Sequence, residues 1–541
     1  MSMQQKNTAL FLCDLAFFCL AALYAWLVME GIAAISGQGA VMDSDLATYA
    51  QALAHSLHPE NFASDPVLRA SSPGVDINNL QSFIARFMTA DGNVSLAMLR
   101  SGAIGIFIFY CGWYILGRWL FQRPALSALL AIACGVTVWI EYGTFWGVNH
   151  SDPVPRVYYA AIFPLLLLVA LAATRKPALR PAALLLAGLS MWVHGVSALN
   201  CGAMFFMLFL VIRPRGISFS AHLANLALSF CAFILPVAIF LWPSFSGAKH
   251  FDAAELAVFA QLFDIRWKGD YSGSPGRLWH LLTSVNAWSV LGVAGLCAWF
   301  LAVWAGNRNE KIFARACPAF IIAILAVALF CFAESAWSAK FGRLAMGHEL
   351  VRGIRFLVPL SITLLVIAGH ILVPRLLVLP GACLGIVLIL IFTLDRQYMA
   401  AQYAMGKWLG IELPLCERAE RERAVAEKRR RLLEEIERIV PAGESIFDAE
   451  EDLAIRHFAM RPLAHAFKDG YIYYYNKDVE GARKWLALER LRRQKPDGLV
   501  DAWLASGAPW LLCKSGVDRG RLEEVGTIES ELDGWLLVRR K

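Results

Sequence analysis

Two aspartates, Asp43 and Asp45, stand two positions apart directly after the first long apolar stretch of the chain. Carboxylates held at such a boundary can act as a general base, orient a hydroxyl nucleophile or bind a divalent cation. The same pattern is typical of a helix N-terminus, with one aspartate capping a helix that begins near Leu46. The sequence therefore predicts either a helix cap or a reactive pair, with the base on Asp43 and Asp45 orienting it or binding a cation.

A second group of charged residues comes just before a later apolar stretch, in the sequence GHELVRGIRFLVP. The i,i+3 spacing places Glu349, Arg352 and Arg355 on one helical face. Arginine binds phosphate through two parallel hydrogen bonds, so Arg352 and Arg355 are candidate phosphate ligands, with His348 beside them. In that interpretation Glu349 is a candidate to face a cavity. The alternatives are that the segment is an interfacial anchor or that Glu349 and Arg352 form an internal ion pair.

Four further candidates lie in one short connection, EYGTFWGVNHSDPVPRVYY: Glu141, His150, Asp152 and Arg156. His150 and Asp152 could complete a metal site with one of the first two aspartates. The two prolines that flank this part of the segment also make SDPVP an ordinary turn between two helices. For Asp152 the turn is the favoured interpretation.

The elements that position these residues are long apolar stretches. Hydrophobic residues make up 58% of the 541 residues and charged residues only 17%, which is too apolar for a soluble chain of this length. We predict a polytopic α-helical membrane domain over residues 1–394, with about eleven spanning helices. The eleven stretches run over residues 8–36, 101–121, 125–141, 157–173, 182–196, 199–212, 219–243, 281–304, 318–334, 356–373 and 376–394.

The fifth and sixth stretches share too few residues for two full spans and too many for one. Residues 192–200 are therefore predicted to form a re-entrant turn, which is tolerated where protein or a water-filled cavity covers it. His194 lies in this turn and could point into such a cavity. A buried histidine bonded to a backbone carbonyl is the commoner case.

Basic residues in the short loops predict the orientation, because such residues favour the cytoplasmic side. They are Arg118, Arg123, Arg175, Lys176, Arg180, Arg213, Arg215, Arg308, Lys311, Arg315 and Arg375. The N-terminus is then cytoplasmic, and the segments 37–100, 141–156, 244–280 and 335–355, which hold most of the candidates, are outside.

Residues 395–541 are predicted to form a small extracytoplasmic α/β domain. Short strand-like runs at 445–448, 510–514 and 535–539 alternate with helical runs at 479–493 and 499–506. This part contains 26 basic and 26 acidic residues, so the formal net charge of +7 lies in the apolar part. Because its charges balance and it is placed outside the cell, nucleic acid is not an expected partner.

The Asp-x-Asp pair after the first span, followed by Tyr49 and a proline-containing segment, resembles the GT-C superfamily of membrane glycosyltransferases. The runs HPENFASDPVL and AIRHFAMRPLAHAFKDGY, with Trp485, are similar to uncharacterised bacterial GT-C-like proteins with a C-terminal soluble domain. The resemblance implies a catalytic base at Asp43 or Asp45, a second acidic loop near it, and a polyprenyl-phosphate-linked sugar as donor. It also implies a bacterial inner membrane protein. The histidine of the family pattern maps to His194, followed here by Gly195 instead of proline.

The leading prediction is a glycosyltransferase that moves this sugar to a glycan, lipid or protein acceptor at the outer lipid surface. A transporter or flippase would need ionisable residues near mid-membrane and often an inverted repeat. A polysaccharide polymerase or ligase of another fold would carry a large arginine-rich outer loop, and a non-enzymatic assembly partner is the last alternative. A divalent cation is the one cofactor that the acidic residues suggest, and the sequence leaves its presence open.

Overall fold

The computed structural model describes residues 3–69, 79–89, 92–141, 144–148, 154–214, 216–245, 250–267, 287–393, 395–493 and 498–541. The predicted site residues His150 and Asp152 lie outside these ranges, as do residues 246–249 and 268–280 of the predicted segment 244–280. For Glu141 the backbone is described and the side chain is not.

The described part of residues 3–393 is mostly helical. Its α-helices are α1 (Met3–Ile35), α2 (Ser44–Leu57), α3 (Leu80–Phe87), α4 (Val94–Phe121), α5 (Pro124–Gly135), α6 (Pro155–Ala173), α7 (Arg180–Leu189), α8 (Met191–Val211), α9 (Phe219–Phe245), α10 (Ala253–Trp267), α11 (Ala287–Ala305), α12 (Arg308–Lys340), α13 (Leu357–Leu372) and α14 (Val378–Phe392). Three 3₁₀ helices cover Pro59–Phe62, Pro177–Leu179 and His348–Phe356. A hairpin of β1 (Val138–Glu141) and β2 (Thr144–Trp146) joins α5 to α6.

Seven of the described helices are long and apolar enough to cross a membrane, which is consistent with a membrane protein. They are Asn7–Ile35, Val94–Phe121, Pro155–Ala173, Met191–Val211, Phe219–Trp242, Arg308–Lys340 and His348–Leu372. The pair Val378–Ile391 and Arg396–Leu409, bent by 92°, raises the number to eight if it is one span.

This number is below the eleven spans predicted, although each predicted stretch does coincide with a helix. Three of the stretches form apolar helices that are shorter than a full span: Pro124–Gly135, Pro177–Leu189 and Ser289–Ala305. The third stretch ends early because residues 138–141 leave the helix and pair as β1 with β2. Apolar composition alone did not separate that strand from the helix before it.

The predicted re-entrant turn is shorter than expected. Helix α7 ends at Leu189, and α8 runs from Met191 with one non-helical residue inside it, His194 (φ −162°, ψ 106°). Residues 195–200, predicted as part of the turn, are helical. The irregular backbone is therefore confined to a kink that ends at His194.

The C-terminal part is mixed α/β, as predicted. Its helices are α15 (Arg396–Leu409), α16 (Cys416–Ile439), α17 (Ala454–His457), α18 (Asp469–Tyr475), α19 (Val479–Arg492), α20 (Gly498–Ser506) and α21 (Arg519–Val525). Its strands are β3 (Ile446–Asp448), β4 (Leu463–His465), β5 (Trp510–Lys514), β6 (Gly526–Leu532) and β7 (Trp535–Arg540), in the sheet order β4-β3-β5-β7-β6. Strand β3 is parallel to β4 and β5, whereas β7 is antiparallel to its two neighbours.

Helix α15, which opens the predicted second domain, packs closely against α1. A Cβ atom at Gly31 would lie 1.9 Å from the carbonyl oxygen of Ala400, so this contact between two backbones requires glycine on α1. The first helix of residues 395–541 is therefore part of the packing around α1.

Candidate functional site

Glu349, Arg352 and Arg355 form a row on the 3₁₀ helix His348–Phe356. A 3₁₀ helix has three residues per turn, so side chains three positions apart eclipse one another. The common face predicted from the i,i+3 spacing is thus present, on a tighter helix than expected. Arg352 Nη2 lies 3.5 Å from Glu349 Oε1, which is the internal pair that the sequence left as an alternative.

Arg355 is the most buried cation of this row, at 4% exposure. Its Nη2 donates a hydrogen bond to Ser197 Oγ. Among the described residues no carboxylate lies within ion-pair distance of its guanidinium. Because a buried charge is costly without a counter-charge, this group favours an anionic ligand.

Arg355 lines a small, partly open cleft beside Tyr159 and Phe356. Arg156, at the start of α6, lines the same cleft and stacks over Phe145 of β2, with its Cζ 4.5 Å from the ring centroid. Ser197 and Tyr159 supply the other polar side chains. Two of the predicted site arginines therefore face one small cleft.

Asp45 connects this cleft to the C-terminal part. Its Oδ2 accepts a hydrogen bond from Arg156 Nη2 at 3.0 Å, and its Oδ1 accepts one from Lys468 Nζ at 2.5 Å. Burial alone would raise the pKa of Asp45, but Lys468 and Arg156 outweigh it and hold the pKa below its usual range. The carboxylate therefore stays ionised.

Asp43 caps α2. Its Oδ1 accepts a hydrogen bond from the backbone N–H of Asp45 at 2.8 Å, and its carbonyl oxygen accepts the N–H of Ala47. This is the helix cap that the sequence offered as the alternative for the pair. The two aspartates thus have different surroundings, and Asp45 is the one that contacts Arg156 and Lys468.

His194 is joined to Arg355 through Ser197. The hydroxyl of Ser197 lies 2.8 Å from His194 Nδ1, and the backbone N–H of Ser197 donates to the same nitrogen at 3.2 Å. Since Ser197 Oγ also accepts from Arg355, the kink at His194 fixes the hydroxyl that holds the arginine. The sequence pattern gave no reason to select Ser197.

His348 is not placed with the arginines. It is 1% exposed and packs against the rings of Phe263, Trp267 and Tyr474. Its Nε2 lies 3.4 Å from the hydroxyl of Tyr475. The next residue of a 3₁₀ helix is turned by about a third of a circle, so His348 faces away from the row of Glu349 and the arginines.

Arg266 of α10 is a further cation near Asp45 and Glu349. Its guanidinium lies over Phe467 at 5.1 Å, and its Nε is buried without a hydrogen bond. Burial lowers the pKa of this arginine, partly opposed by the two carboxylates. Sequence reasoning missed Arg266.

These groups form what we call the charged cluster, which has five basic and two acidic side chains and therefore a positive balance. Its members are Asp45, Arg156, Arg266, Glu349, Arg352, Arg355 and Lys468. Such a balance is suited to an anion such as phosphate.

Glu141, a predicted residue of the second acidic loop, is not among these groups. Its backbone pairs with Thr144 in the hairpin of β1 and β2.

A separate buried ion-pair group joins the chain after α2 to the C-terminal part. Arg456 Nε donates to Asp65 Oδ2 at 2.8 Å, and its Nη1 donates to Asp469 Oδ1 at 2.6 Å and to Gln51 Oε1 at 3.0 Å. Arg456 and Asp65 are fully buried, and Asp469 is 1% exposed. The two runs that carry the GT-C resemblance, HPENFASDPVL and AIRHFAMRPLAHAFKDGY, meet at this arginine.

Comparison with known proteins adds no relative: no family model matches the chain, and no curated protein is significantly similar to it. The class of this protein must therefore be argued from its fold and from the charged cluster. Over the residues that the structure describes, the chain is mostly helical, with seven to eight candidate membrane-spanning helices and a small sheet near its C-terminus.

Proposed function

We propose that this protein is a GT-C-like membrane glycosyltransferase that moves a sugar from a polyprenyl-phosphate-linked donor to an acceptor. The observation that carries the proposal is the buried guanidinium of Arg355, which lines a cleft with Arg156 and pairs with no carboxylate of the described chain. A lipid-linked phosphate would supply the missing negative charge. Asp45 lies directly beyond Arg156.

In the proposed reaction the acceptor oxygen attacks the anomeric carbon while the bond from that carbon to the phosphate oxygen breaks. The bonding electrons leave with the phosphate, and Arg355 and Arg156 stabilise the developing charge. The hydroxyl proton passes to Asp45. We place the base on Asp45 because the carboxylate of Asp43 caps α2.

Lys468 makes Asp45 a weaker base than an isolated carboxylate, because the ion pair holds its pKa low. Proton transfer would then occur late, once attack on the sugar has made the hydroxyl acidic. Each oxygen of Asp45 accepts one hydrogen bond, from Arg156 or Lys468, and keeps a second lone pair for the hydroxyl of the acceptor. The C-terminal part thus contributes a residue to the proposed acceptor side.

Arg355→Ala is expected to raise the apparent KM for the lipid-linked donor about 10- to 150-fold, since a charged hydrogen bond to phosphate contributes roughly 1.5–3 kcal/mol. Arg355→Lys should restore only part of this loss, because an ammonium lacks the guanidinium fork. The measurement is transfer from a radiolabelled polyprenyl-phosphate hexose in proteoliposomes.

Arg69→Ala is the matched control, because Arg69 is an exposed arginine of the predicted outer segment 37–100. Its donor KM should equal that of the parent. An unchanged donor KM in Arg355→Ala would remove the phosphate site from this cleft and leave Arg355 as a packing residue held by Ser197.

We further propose the predicted inner-membrane orientation, with a cytoplasmic N-terminus and the C-terminal part outside. The contact between Asp65 and Arg456 supports the placement of the C-terminal part on the side opposite the N-terminus, because residues soon after α1 and residues of the C-terminal part must share one side of a membrane that α1 crosses. The cytoplasmic side of the N-terminus rests on the basic residues of the short loops. The number of crossings is then odd. Eleven spans agree with this argument, and eight do not. Seven spans have the right parity, but they would place Arg156, at the start of α6, on the opposite side of the membrane from Asp45, which it contacts.

Alkaline phosphatase fused after Lys541 is therefore expected to be active, because that enzyme folds only in an oxidising compartment. The same enzyme fused after Arg123, between α4 and α5, should be inactive, and a cytoplasm-dependent fluorescent protein at that site should be bright. A fluorescent C-terminal fusion would contradict both the span parity and the proposed side.

A further inference from the structure

Outside the charged cluster, one set of metal-ligating side chains converges in the C-terminal part. Among the described residues, Glu451, His465 and Glu489 are the one group of three or more such side chains with ligand atoms within 4.8 Å of one another. They come from three elements: the loop after β3, the end of β4 and the last turn of α19. His465 and Glu489 are buried, and the Glu451 side chain is 10% exposed.

His465 Nε2 lies at the centre of the group, 2.9 Å from Glu489 Oε1 and 3.2 Å from Glu451 Oε1. One Nε2–H can be donated to only one of these oxygens, and Glu489 is the acceptor. Glu451 Oε1 is consequently buried without a hydrogen bond. A cation between the three atoms would satisfy all of them at once.

The other oxygens of both glutamates are held by arginines. Glu451 Oε2 lies 3.2 Å from Arg492 Nη2, and Glu489 Oε2 lies 3.0 Å from Arg493 Nε. Glu451 therefore directs Oε1 toward His465 and Oε2 toward an arginine. Glu489 does the same, but its Oε1 also accepts a longer hydrogen bond from Arg492 Nη2 at 3.4 Å. Such outer partners orient ligands in metal sites. The imidazole is fixed between Phe447 and Trp485, with ring centroids 6.1 and 5.9 Å away.

We propose that Glu451, His465 and Glu489 bind a divalent transition metal ion of the Zn²⁺ class, with a fourth position left for water. One imidazole and two carboxylates are ligands that Zn²⁺ accepts, and bonds of about 2.0–2.2 Å in a tetrahedron separate ligand atoms by about 3.3–3.5 Å. The observed separations of 2.9 and 3.2 Å need only a small expansion.

The site would fix the short segment between β4 and α18, since His465 ends β4 and Lys468 follows three residues later. Lys468 is the residue that contacts Asp45. Metal binding would in this way hold Lys468 in place. The inference itself stands on the three ligands and is independent of the proposed sugar transfer.

The test uses the full-length protein in detergent, purified without a histidine tag, stripped with EDTA and dialysed against Zn²⁺. Mass spectrometry of metal content should give one tightly bound ion per chain, with affinity weakened about 100-fold or more in His465→Ala and Glu451→Gln. Glu450→Gln, which changes the neighbouring exposed glutamate that pairs with Lys514, should bind like the parent.

A second measurement guards against variants that fail to fold. Zn²⁺ should raise the Tm of the parent and of Glu450→Gln, and EDTA should reverse the rise. The Tm of Glu451→Gln should not respond to Zn²⁺. With Co²⁺ in place of Zn²⁺, the parent should show the absorption bands of a tetrahedral site, and Glu451→Gln should not. Equal Zn²⁺ binding by the parent and Glu451→Gln would overturn the proposal, as would a parent that binds none.

Discussion

Asp45→Asn is expected to lower sugar transfer by roughly 10²–10⁴-fold, the range observed when a general base is removed. Asparagine keeps the shape of the side chain and one acceptor oxygen for Arg156 or Lys468, but it cannot take a proton. The measurement is the initial rate of transfer from a polyprenyl-phosphate hexose at saturating donor. Because the pKa of Asp45 is held low against the effect of burial, the parent should keep this group ionised down to about pH 4.

Asp43→Asn is the matched control, since asparagine caps helices as well as aspartate does. It should transfer sugar at close to the parental rate. Lys468→Met tests whether the ion pair is needed in addition to the base. It removes the hydrogen bond to Asp45 Oδ1 and leaves the carboxylate, so sugar transfer should persist. The assignment fails if Asp45→Asn is as active as the parent, or if Asp43→Asn loses as much activity.

Arg456→Ala is expected to destabilise the protein by about 3–5 kcal/mol, because it leaves the carboxylates of Asp65 and Asp469 buried without their cation. Arg456→Lys should recover only part of this stability. One ammonium cannot serve two carboxylates, Gln51 and the carbonyl of Leu463 together. Chemical denaturation in detergent, followed by tryptophan fluorescence, measures the change.

The exposed arginine of α19, Arg483, provides the control, and Arg483→Ala should change stability by less than about 0.5 kcal/mol. Limited proteolysis adds a second measurement. Since Asp65 lies near α2 and Arg456 lies in the C-terminal part, loss of the pair should expose the chain around residues 58–69 to protease. Equal denaturation midpoints for Arg456→Ala and the parent would contradict the role given to this group.

Residue type and local spacing predicted the parts of the site that are close in sequence. The i,i+3 spacing placed Glu349, Arg352 and Arg355 on one face, because a tighter helix aligns them even better than the expected one. Helix-cap chemistry likewise predicted the alternative seen at Asp43. These features depend on contacts within one or two helical turns.

The long-range contacts could not be predicted. Lys468 reaches Asp45 across 423 positions of sequence, and nothing in the run AHAFKDGY distinguishes this lysine from a solvated one. Strands β4 and β6 were not predicted from the sequence. Helix ends were also misplaced, because apolar composition does not reveal where a helix stops, as at residues 138–141, which form β1.

The winding of the 3₁₀ helix His348–Phe356 sets a length as well as a face. Nine residues at about 2.0 Å each extend about 18 Å, whereas the same residues in an α-helix would extend about 13.5 Å. Rewinding would also turn Arg355 by about 120° relative to Glu349, because six residues at about 100° each do not close whole turns. Rewinding this segment as an α-helix would therefore shorten it by about 4.5 Å ahead of α13 and, in the same step, take Arg355 off the face that it shares with Glu349.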